Sequence, residues 1–296
     1  MPATLASEAW EPIRTPWGKP DFGGFWDFGS LTPLERPEAF ADKTHFTAEE
    51  ARDFVANHDG YATAQTEEAD GEEFVGLELW LEFGENVEAD LRTSRVVYPP
   101  DGRIPEGTPA AQTKWNARDL ERSQYAGPQA LDVGERCISG ENPPLFSGPS
   151  NNYLHIFQTP QHIAILTEYI NDARIIPLDG RPHIPEPVRQ WKGDSRAVWE
   201  GDVLVVESSR FRNDYGIEGA GRNMRITERF SLTKQDTLRY EFTIDDPETF
   251  VSSWTVLTEM HRTDNVIYEY ACHEANYSME GILRGARFIE ANAKNQ

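Results

Sequence analysis

Positive charge is scarce in this chain. It has 28 Lys and Arg against 50 Asp and Glu, which gives a formal net charge of −22 over 296 residues. A nucleic-acid-binding surface needs clustered positive charge, and an anionic membrane surface repels an acidic protein. Long apolar runs are also missing, and no stretch of eighteen apolar residues predicts a membrane-spanning helix. We therefore expect no nucleic-acid or membrane partner, and a small molecule instead.

The chain also lacks the short motifs that mark common cofactor and catalytic sites. There is no G-x-G-x-x-G after a strand and no G-x-x-x-x-G-K-[ST], so nucleotide binding has no support. A G-x-S-x-G elbow, an H-E-x-x-H pair and paired C-x-x-C motifs are missing too. We expect no organic cofactor and no bound metal, with a dispersed metal site built from His, Glu and Asp as a minor alternative.

Only two cysteines are present, Cys137 and Cys272, far apart in sequence. We expect two free thiols, which fits a cytoplasmic protein. The alternative is one disulfide, which would imply an oxidising compartment. The first residues, MPATLASEAWEP, contain neither a basic stretch nor an apolar core, so no signal peptide is predicted. The expected location is cytoplasmic as written, and periplasmic or secreted if a signal has been removed.

Aromatic residues are frequent at 11%, which indicates a folded protein. From residue 151, about nine segments with period-two alternation follow each other, joined by short turns. Short turns join antiparallel neighbours, and a long antiparallel meander protects its edges by closing. The predicted fold is mainly β, an up-and-down, lipocalin-like β-barrel over residues 151–285. A β-sandwich is the alternative.

Residues 1–150 are rich in turn residues and are predicted to pack on the barrel within a single domain. Thr47 is a predicted N-cap for a helix over 47–57, and a second helix is predicted around 109–122. Residues 53–91 contain no Lys or Arg, and VGLELWLEFG at 75–84 fits a strand or a helix. This acidic stretch is a solvated face or, alternatively, a lid over a pocket.

Four long motifs resemble a widespread bacterial family that is largely uncharacterised and often secreted. They are TPWGKPDFGGFWDFGSLTPLERP, RTSRVVYPPDGRIP, IIPLDGRPHIPEPVRQWKGDSRAVWEGDVLVVESSRF and YEYACHEANY. The resemblance spans nearly the whole chain and implies a single structural unit. It implies no reaction, cofactor or catalytic residue. Many members begin with a signal peptide, from which this sequence departs.

Alternation places one carboxylate on an apolar strand face in the hairpin 225–244. Side chains two positions apart in a strand share a face. One face is polar, and the other carries Glu228 among apolar and aromatic residues: Ile226, Phe230, Leu238, Tyr240, Phe242 and Ile244. A buried carboxylate must be paired, protonated or in a wet cavity. Glu228 is therefore either a catalytic acid or base, or one half of a structural ion pair with Arg174 or Arg196.

The segment YEYACHEANY at 268–277 is predicted to be the last barrel strand, and Cys272 and His273 then point to opposite faces, which disfavours a metal pair. If the face of Glu269 and His273 lines the lumen, His273 is a candidate general base near neutral pH. If the tyrosine face points inward, His273 is a surface residue and Tyr268 faces the lumen.

The connection GRPHIPEPVRQWKGDSR supplies further candidates, because long connections in compact barrels are often functional. His183 and Asp194 are candidate catalytic residues. Candidate substrate-binding residues are Arg174, Arg196, Tyr169, Tyr268 and Trp191, since arginines can bind a substrate carboxylate or phenolate. An Arg–Asp network that only pins the loop is the alternative.

These observations lead to a ranked set of functions. The leading hypothesis is a cofactor-independent lyase or isomerase that acts on a small hydrophobic, aromatic molecule in the barrel cavity by general acid/base chemistry. Elimination, dehydration and carbon–carbon cleavage all fit. The second hypothesis is a non-catalytic carrier of a hydrophobic ligand, and the third is a metallohydrolase with a dispersed site. Assembly into a homo-oligomer remains open.

Overall fold

The computed structural model describes residues 10–57, 84–140, 142–212, 217, 220–274 and 276–293. The segment at 75–84, for which sequence favoured neither strand nor helix, lies outside these residues apart from Gly84. Among the helices in the described part of the chain, none is long and apolar enough to cross a membrane.

The described residues form ten β-strands in one sheet, and every ladder in it is antiparallel. The strands are β1 (Gly24–Asp27), β2 (Val96–Tyr98), β3 (Tyr153–Gln158), β4 (His162–Thr167), β5 (Ala173–Pro177), β6 (Asp194–Glu200), β7 (Val203–Ser209), β8 (Arg225–Lys234), β9 (Thr237–Asp245) and β10 (Trp254–Arg262). Nine of them follow the order β5-β4-β3-β1-β10-β9-β8-β7-β6, and β2 pairs with β10. The sheet curls into a nearly closed barrel, which confirms the predicted fold class.

β1, the first strand among the described residues, joins two parts of the sheet. β1 lies between β3 and β10, where Trp26 pairs with both Leu154 and Arg262. β1 was not predicted, because its four residues lie within a turn-rich stretch. At the opposite side of the barrel, β5 and β6 are the two ends of the strand order and form no ladder with each other. They run in the same direction, and residues 178–193 lead back from the end of β5 to the start of β6. Lys192 Nζ crosses this gap to Asp172 Oδ1 and the carbonyl of Ala173, both at 2.5 Å.

The two ends of the barrel differ in their connections. One end has the tight turns at 159–161, 201–202 and 235–236. The other end, which we call the loop end, has the long connections that follow β1, β2, β7 and β9, and the starts of β3, β5, β6, β8 and β10. The described residues on either side of these long connections therefore meet at the loop end.

Among the described residues, three α-helices accompany the barrel: α1 (Ala48–Ala56), α2 (Pro109–Ser123) and α3 (Tyr277–Ala293). α1 begins with a capping box, in which the Thr47 hydroxyl accepts from the Glu50 amide and the Glu50 carboxylate accepts from the Thr47 amide. α2 begins with Thr108 as N-cap and Pro109 in the first turn. The helices predicted at 47–57 and 109–122 are confirmed.

The barrel interior is filled by the protein's own side chains. The largest that are fully buried are aromatic, namely Trp26, Trp254, Tyr240, Phe22, Phe211, Phe230, Phe242 and Phe250. On β8 and β9 the buried positions alternate with exposed or half-buried ones, as the predicted apolar face of the hairpin requires. Glu228 is on that buried face with 0% of its surface exposed.

Two predictions about the C-terminal part are wrong. Residues 268–274 contain no strand, and the alternating-face interpretation of His273 and the tyrosines falls with it. Both edges of β10 are already occupied, by β9 on one side and by β1 and β2 on the other. The two cysteines are not free thiols either: Cys137 and Cys272 form a disulfide with Cα atoms 5.8 Å apart.

Candidate functional site

Glu228 belongs to a buried triad inside the barrel. Arg174 donates from Nη1 to Glu228 Oε2 at 2.6 Å and from Nη2 to Oε1 at 2.8 Å, and the Tyr240 hydroxyl donates to Oε1 at 2.9 Å. Burial, followed by the adjacent carboxylate, holds the pKa of Tyr240 well above its usual value, so the phenol remains a donor. Of the two sequence-based alternatives for Glu228, this geometry matches the structural ion pair.

The triad is also connected to the loop end, because the Leu145 amide donates to the Tyr240 hydroxyl at 3.1 Å. Arg174 is only 4% exposed, and Glu228 lies between Val206 and Phe242 on the neighbouring strands. A bidentate Arg–carboxylate pair in such surroundings satisfies both charges locally.

A second group of predicted residues meets outside β6, at the loop end. His183 Nδ1 is 2.7 Å from Asp194 Oδ2, and Arg196 Nη1 is 2.7 Å from Asp194 Oδ1. The Ile184 amide donates to Asp194 Oδ2 at 3.1 Å, and His183 Nε2 lies 3.7 Å from Glu207 Oε1. This His–Asp pair fixes the orientation of the imidazole, and it also pins the 178–193 connection to the barrel wall.

The remaining predicted residues lie elsewhere. Tyr169 and Tyr268 line one open groove of about 840 Å³, and its wall includes Cys272 of the disulfide. His273 is exposed beside this disulfide, whereas Glu228 is completely buried, so the two side chains occupy different environments. Trp191 stacks with the guanidinium of Arg212, whose carbon is 4.2 Å from the ring centre.

A different cavity at the loop end combines aromatic and charged residues. It has a volume of about 670 Å³ and lies between α2, the start of β10 and the segment around Phe146. We call it the α2 pocket. Its apolar wall consists of Leu34, Ile104, Trp115, Phe146, Ile217 and Trp254. Its size is in the range of small-molecule sites.

Helical spacing brings one face of α2 to this pocket. Gln112, Trp115, Asp119 and Arg122 recur three or four residues apart and line it together with Arg118. The position of Trp115 depends on Gly107, because a Cβ at residue 107 would lie 2.2 Å from the indole ring. A glycine one residue before the N-cap thus makes room for the largest side chain of the helix.

Ion pairs neutralise the outer charges of the pocket. Arg118 and Arg122 both contact Asp132, the latter at 3.1 Å, and Arg122 also pairs with Glu135 at 2.8 Å. The hydrogen bond from Arg122 lowers the pKa of the Glu135 carboxyl, and the same bond raises the pKa of Arg122.

Arg95 lies deeper, and its backbone is held on both sides. Its amide donates to the Pro33 carbonyl at 2.8 Å, and its carbonyl accepts from the Leu257 amide at 2.9 Å. The side chain is 7% exposed, and Nη2 donates to the Ser147 carbonyl at 3.2 Å. Burial lowers the pKa of Arg95 to about 10, although Glu88 partly opposes this shift.

Within the described ranges, no group of three or more His, Cys, Asp and Glu side chains is placed to hold a metal ion. Comparison of the chain with protein-family models and with curated proteins finds no match.

The sequence analysis did not single out Trp115, Trp254 or Arg95. The helical repeat of Gln112, Trp115, Asp119 and Arg122 was a readable signal for one face of α2. Arg95 gave no such signal, since an arginine just before a short strand is usually solvated.

Proposed function

We propose that this protein binds a small hydrophobic molecule with an aromatic ring in the α2 pocket. The observation that carries the proposal is the meeting of three rings, from Trp115, Phe146 and Trp254, with charged side chains in one cavity. Aromatic walls with a few polar groups are typical of small-molecule sites, and rings favour stacked or edge-on contacts with a flat ligand.

The barrel interior supports this choice by comparison. Its apolar residues pack against each other in one continuous core. Its carboxylate, Glu228, is already bonded to Arg174 and Tyr240. A ligand in the lumen would have to displace well-packed side chains, whereas the α2 pocket is already open.

A second candidate is the cofactor-independent lyase, acting on the same ligand. It is favoured by Asp132, a carboxylate that lines the α2 pocket and contacts both Arg118 and Arg122. A carboxylate can remove a proton from the ligand, and the neighbouring guanidiniums can stabilise the oxyanion that develops during elimination, dehydration or carbon–carbon cleavage.

Calorimetric titration with benzyl, phenylpropanoid and naphthyl compounds tests the binding proposal. We expect saturable binding to the wild type and a loss of about tenfold in affinity for Trp115→Leu, the equivalent of about 1.4 kcal/mol. Trp17→Leu is the matched control, because Trp17 is 38% exposed and does not line the pocket. Equal binding by the Trp115 variant, or no binding by the wild type, would contradict the proposal.

Product analysis tests the lyase candidate. Compounds that bind are incubated with the protein and followed by NMR for new alkenes or aldehydes. We expect Asp132→Asn to abolish turnover and to leave Kd within a few-fold. Turnover that is unchanged in this variant, or no turnover of any bound compound, would leave the carrier as the function of the pocket.

A further inference from the structure

The α2 pocket contains one buried cation whose partners within the described residues are incomplete. A guanidinium has five N–H donors. Arg95 uses Nη2 toward Ser147, its buried Nε has no hydrogen-bond partner there, and no carboxylate of the described chain lies within 4.0 Å of it. A buried charge without a counter-charge costs free energy of folding, which makes such a residue a candidate for ligand binding.

The other arginines of the pocket show the contrast. Arg118 and Arg122 have carboxylate partners in Asp132 and Glu135. Glu88, the carboxylate that acts on Arg95 electrostatically, already accepts from the Thr258 hydroxyl at 2.6 Å and the Glu259 amide at 3.0 Å. Among the described arginines of this pocket, Arg95 is therefore the one whose charge a ligand can complete.

Arg36, which lies outside the pocket, is buried to a similar extent as Arg95 and serves as a comparison. It is 6% exposed and, among the described residues, also has no carboxylate within ion-pair distance. It bonds to the Thr93 hydroxyl and the Pro100 carbonyl, both at 3.1 Å, and does not line the α2 pocket. Arg36 thus acts as a structural clamp, while Arg95 borders a cavity that a ligand can enter.

A second donor belongs to the same wall. Trp254 lines the pocket and is 0% exposed, and its Nε1–H has no acceptor among the described residues. A buried indole N–H normally finds a partner. The Arg95 Nε–H and the Trp254 Nε1–H both lack acceptors among the described residues, and both side chains line this cavity. Such donors complement a group that offers several acceptor oxygens.

We infer that the ligand of the α2 pocket carries a carboxylate and that Arg95 is its anion receptor. This inference rests on the proposed function, because it specifies the charge of the ring compound bound there. The planar carboxylate matches the guanidinium fork, while the ring of the ligand lies against Trp115 and Phe146. The backbone contacts of Arg95 to Pro33 and Leu257 hold the receptor in place before binding.

The test compares matched acids and amides, namely cinnamate with cinnamamide and 2-naphthoate with 2-naphthamide. Each pair has nearly the same shape and differs in charge. We expect the wild type to bind the acids on the order of 100-fold more tightly, and Arg95→Met to remove that preference while leaving the amides unchanged. Arg103→Met is the control, because Arg103 is exposed and the substitution changes the net charge equally.

Two further measurements keep the outcome clear. Ligand-free Arg95→Met should melt no lower than the wild type, because the substitution removes a buried charge. Should this variant not fold, Arg95→Lys retains the charge without the fork and should lose about tenfold in affinity for the acids. Acids and amides that bind equally would overturn the inference and leave the binding function standing. If no ring compound binds, the proposed function fails as well.

Discussion

At the scale of single residues, the buried triad shows how a polar group is accommodated in an apolar barrel. Glu228 is tolerated because Arg174 neutralises it and Tyr240 donates to the same carboxylate. The pair connects β5 with β8, which five strands separate along the hydrogen-bonded order of the sheet and which β6 and β7 separate across its open side. Such a pair contributes less to net stability than its Coulomb energy suggests, but removing one partner leaves a buried charge.

We expect Glu228→Gln to lower the free energy of unfolding by about 3–5 kcal/mol, because the buried Arg174 then loses the negative charge of Glu228. Urea denaturation followed by circular dichroism measures the loss. The double variant Arg174→Met with Glu228→Leu is the control and should recover most of the stability, since both charges are gone. A single variant as stable as the wild type would show that the pair is dispensable.

The contact between Gly107 and Trp115 gives a second prediction at this scale. Gly107→Ala should push the indole ring away, because the new Cβ would lie 2.2 Å from it. We expect a changed tryptophan emission and weaker ligand binding with the fold retained. Gly281→Ala in α3 is the matched control, since a Cβ there meets nothing within 4 Å. An unchanged affinity in the Gly107 variant would show that the position of the Trp115 ring does not affect ligand binding.

At the scale of secondary-structure elements, the start of α1 is determined by residues close to it in sequence. Lys43 lies beside the Glu50 carboxylate, and the hydrogen bond from Lys43, followed by that from the Thr47 amide, lowers the pKa of Glu50 to about 2. A lowered carboxyl pKa stabilises the fold above the usual value near 4.5, and this contribution disappears as pH falls through about 2.

NMR titration of the Glu50 side chain should therefore give a midpoint near 2, and Lys43→Met should move it up toward 4.5. Added salt should have a similar but smaller effect, because the pair is exposed. Arg52→Met serves as a control for general charge, since Arg52 is an exposed residue of the same helix. A Glu50 midpoint of about 4.5 in the wild type would contradict the assigned pairing.

The strands show which parts of the fold can be predicted from the alternation of polar and apolar residues. This alternation located β3 to β10 and the buried face of Glu228. On β8 and β9 the buried positions alternate with exposed or half-buried ones, as the pattern predicts. The same alternation at 266–273 gave no strand, since pattern alone does not show that β10 already has neighbours on both edges. Strand formation there is decided by available partners and not by the local sequence.

The candidate site was less predictable than the fold. The helix face with Trp115 could be read from spacing, but the pocket also needs Arg95, Phe146 and Trp254, which come from three distant segments. Their proximity follows from the loop end of the barrel, where the long connections gather. Sequence periodicity describes one element at a time and carries no information on such a meeting.

At the scale of the whole molecule, the disulfide joins Cys137 to Cys272 across a sequence separation of 135 residues. We expect the double variant Cys137→Ser with Cys272→Ser to lose about 2–4 kcal/mol of stability in urea denaturation. As a control, wild-type protein measured in reductant should have the same free energy of unfolding as this variant. If reductant has no effect on the unfolding midpoint, the two sulfurs are not bonded in solution.

We propose an oxidising compartment, such as the periplasm or the extracellular space, because disulfides persist there and are rare in the cytosol. Thiol labelling of protein taken directly from cells tests this. The expected result is no label on Cys137 or Cys272 before reduction. Full labelling of both thiols would favour the cytoplasm.

The position of β1 has a consequence for how the protein is made. β1 (Gly24–Asp27) leaves the ribosome long before one of its two partners, β10 (Trp254–Arg262). Pairing of two strands that are so far apart in sequence is slow, since conformational entropy of the chain must be lost before the contact forms. The edge of β1 that faces β10 therefore stays unpaired until β10 has been translated, and this part of the barrel cannot form before then.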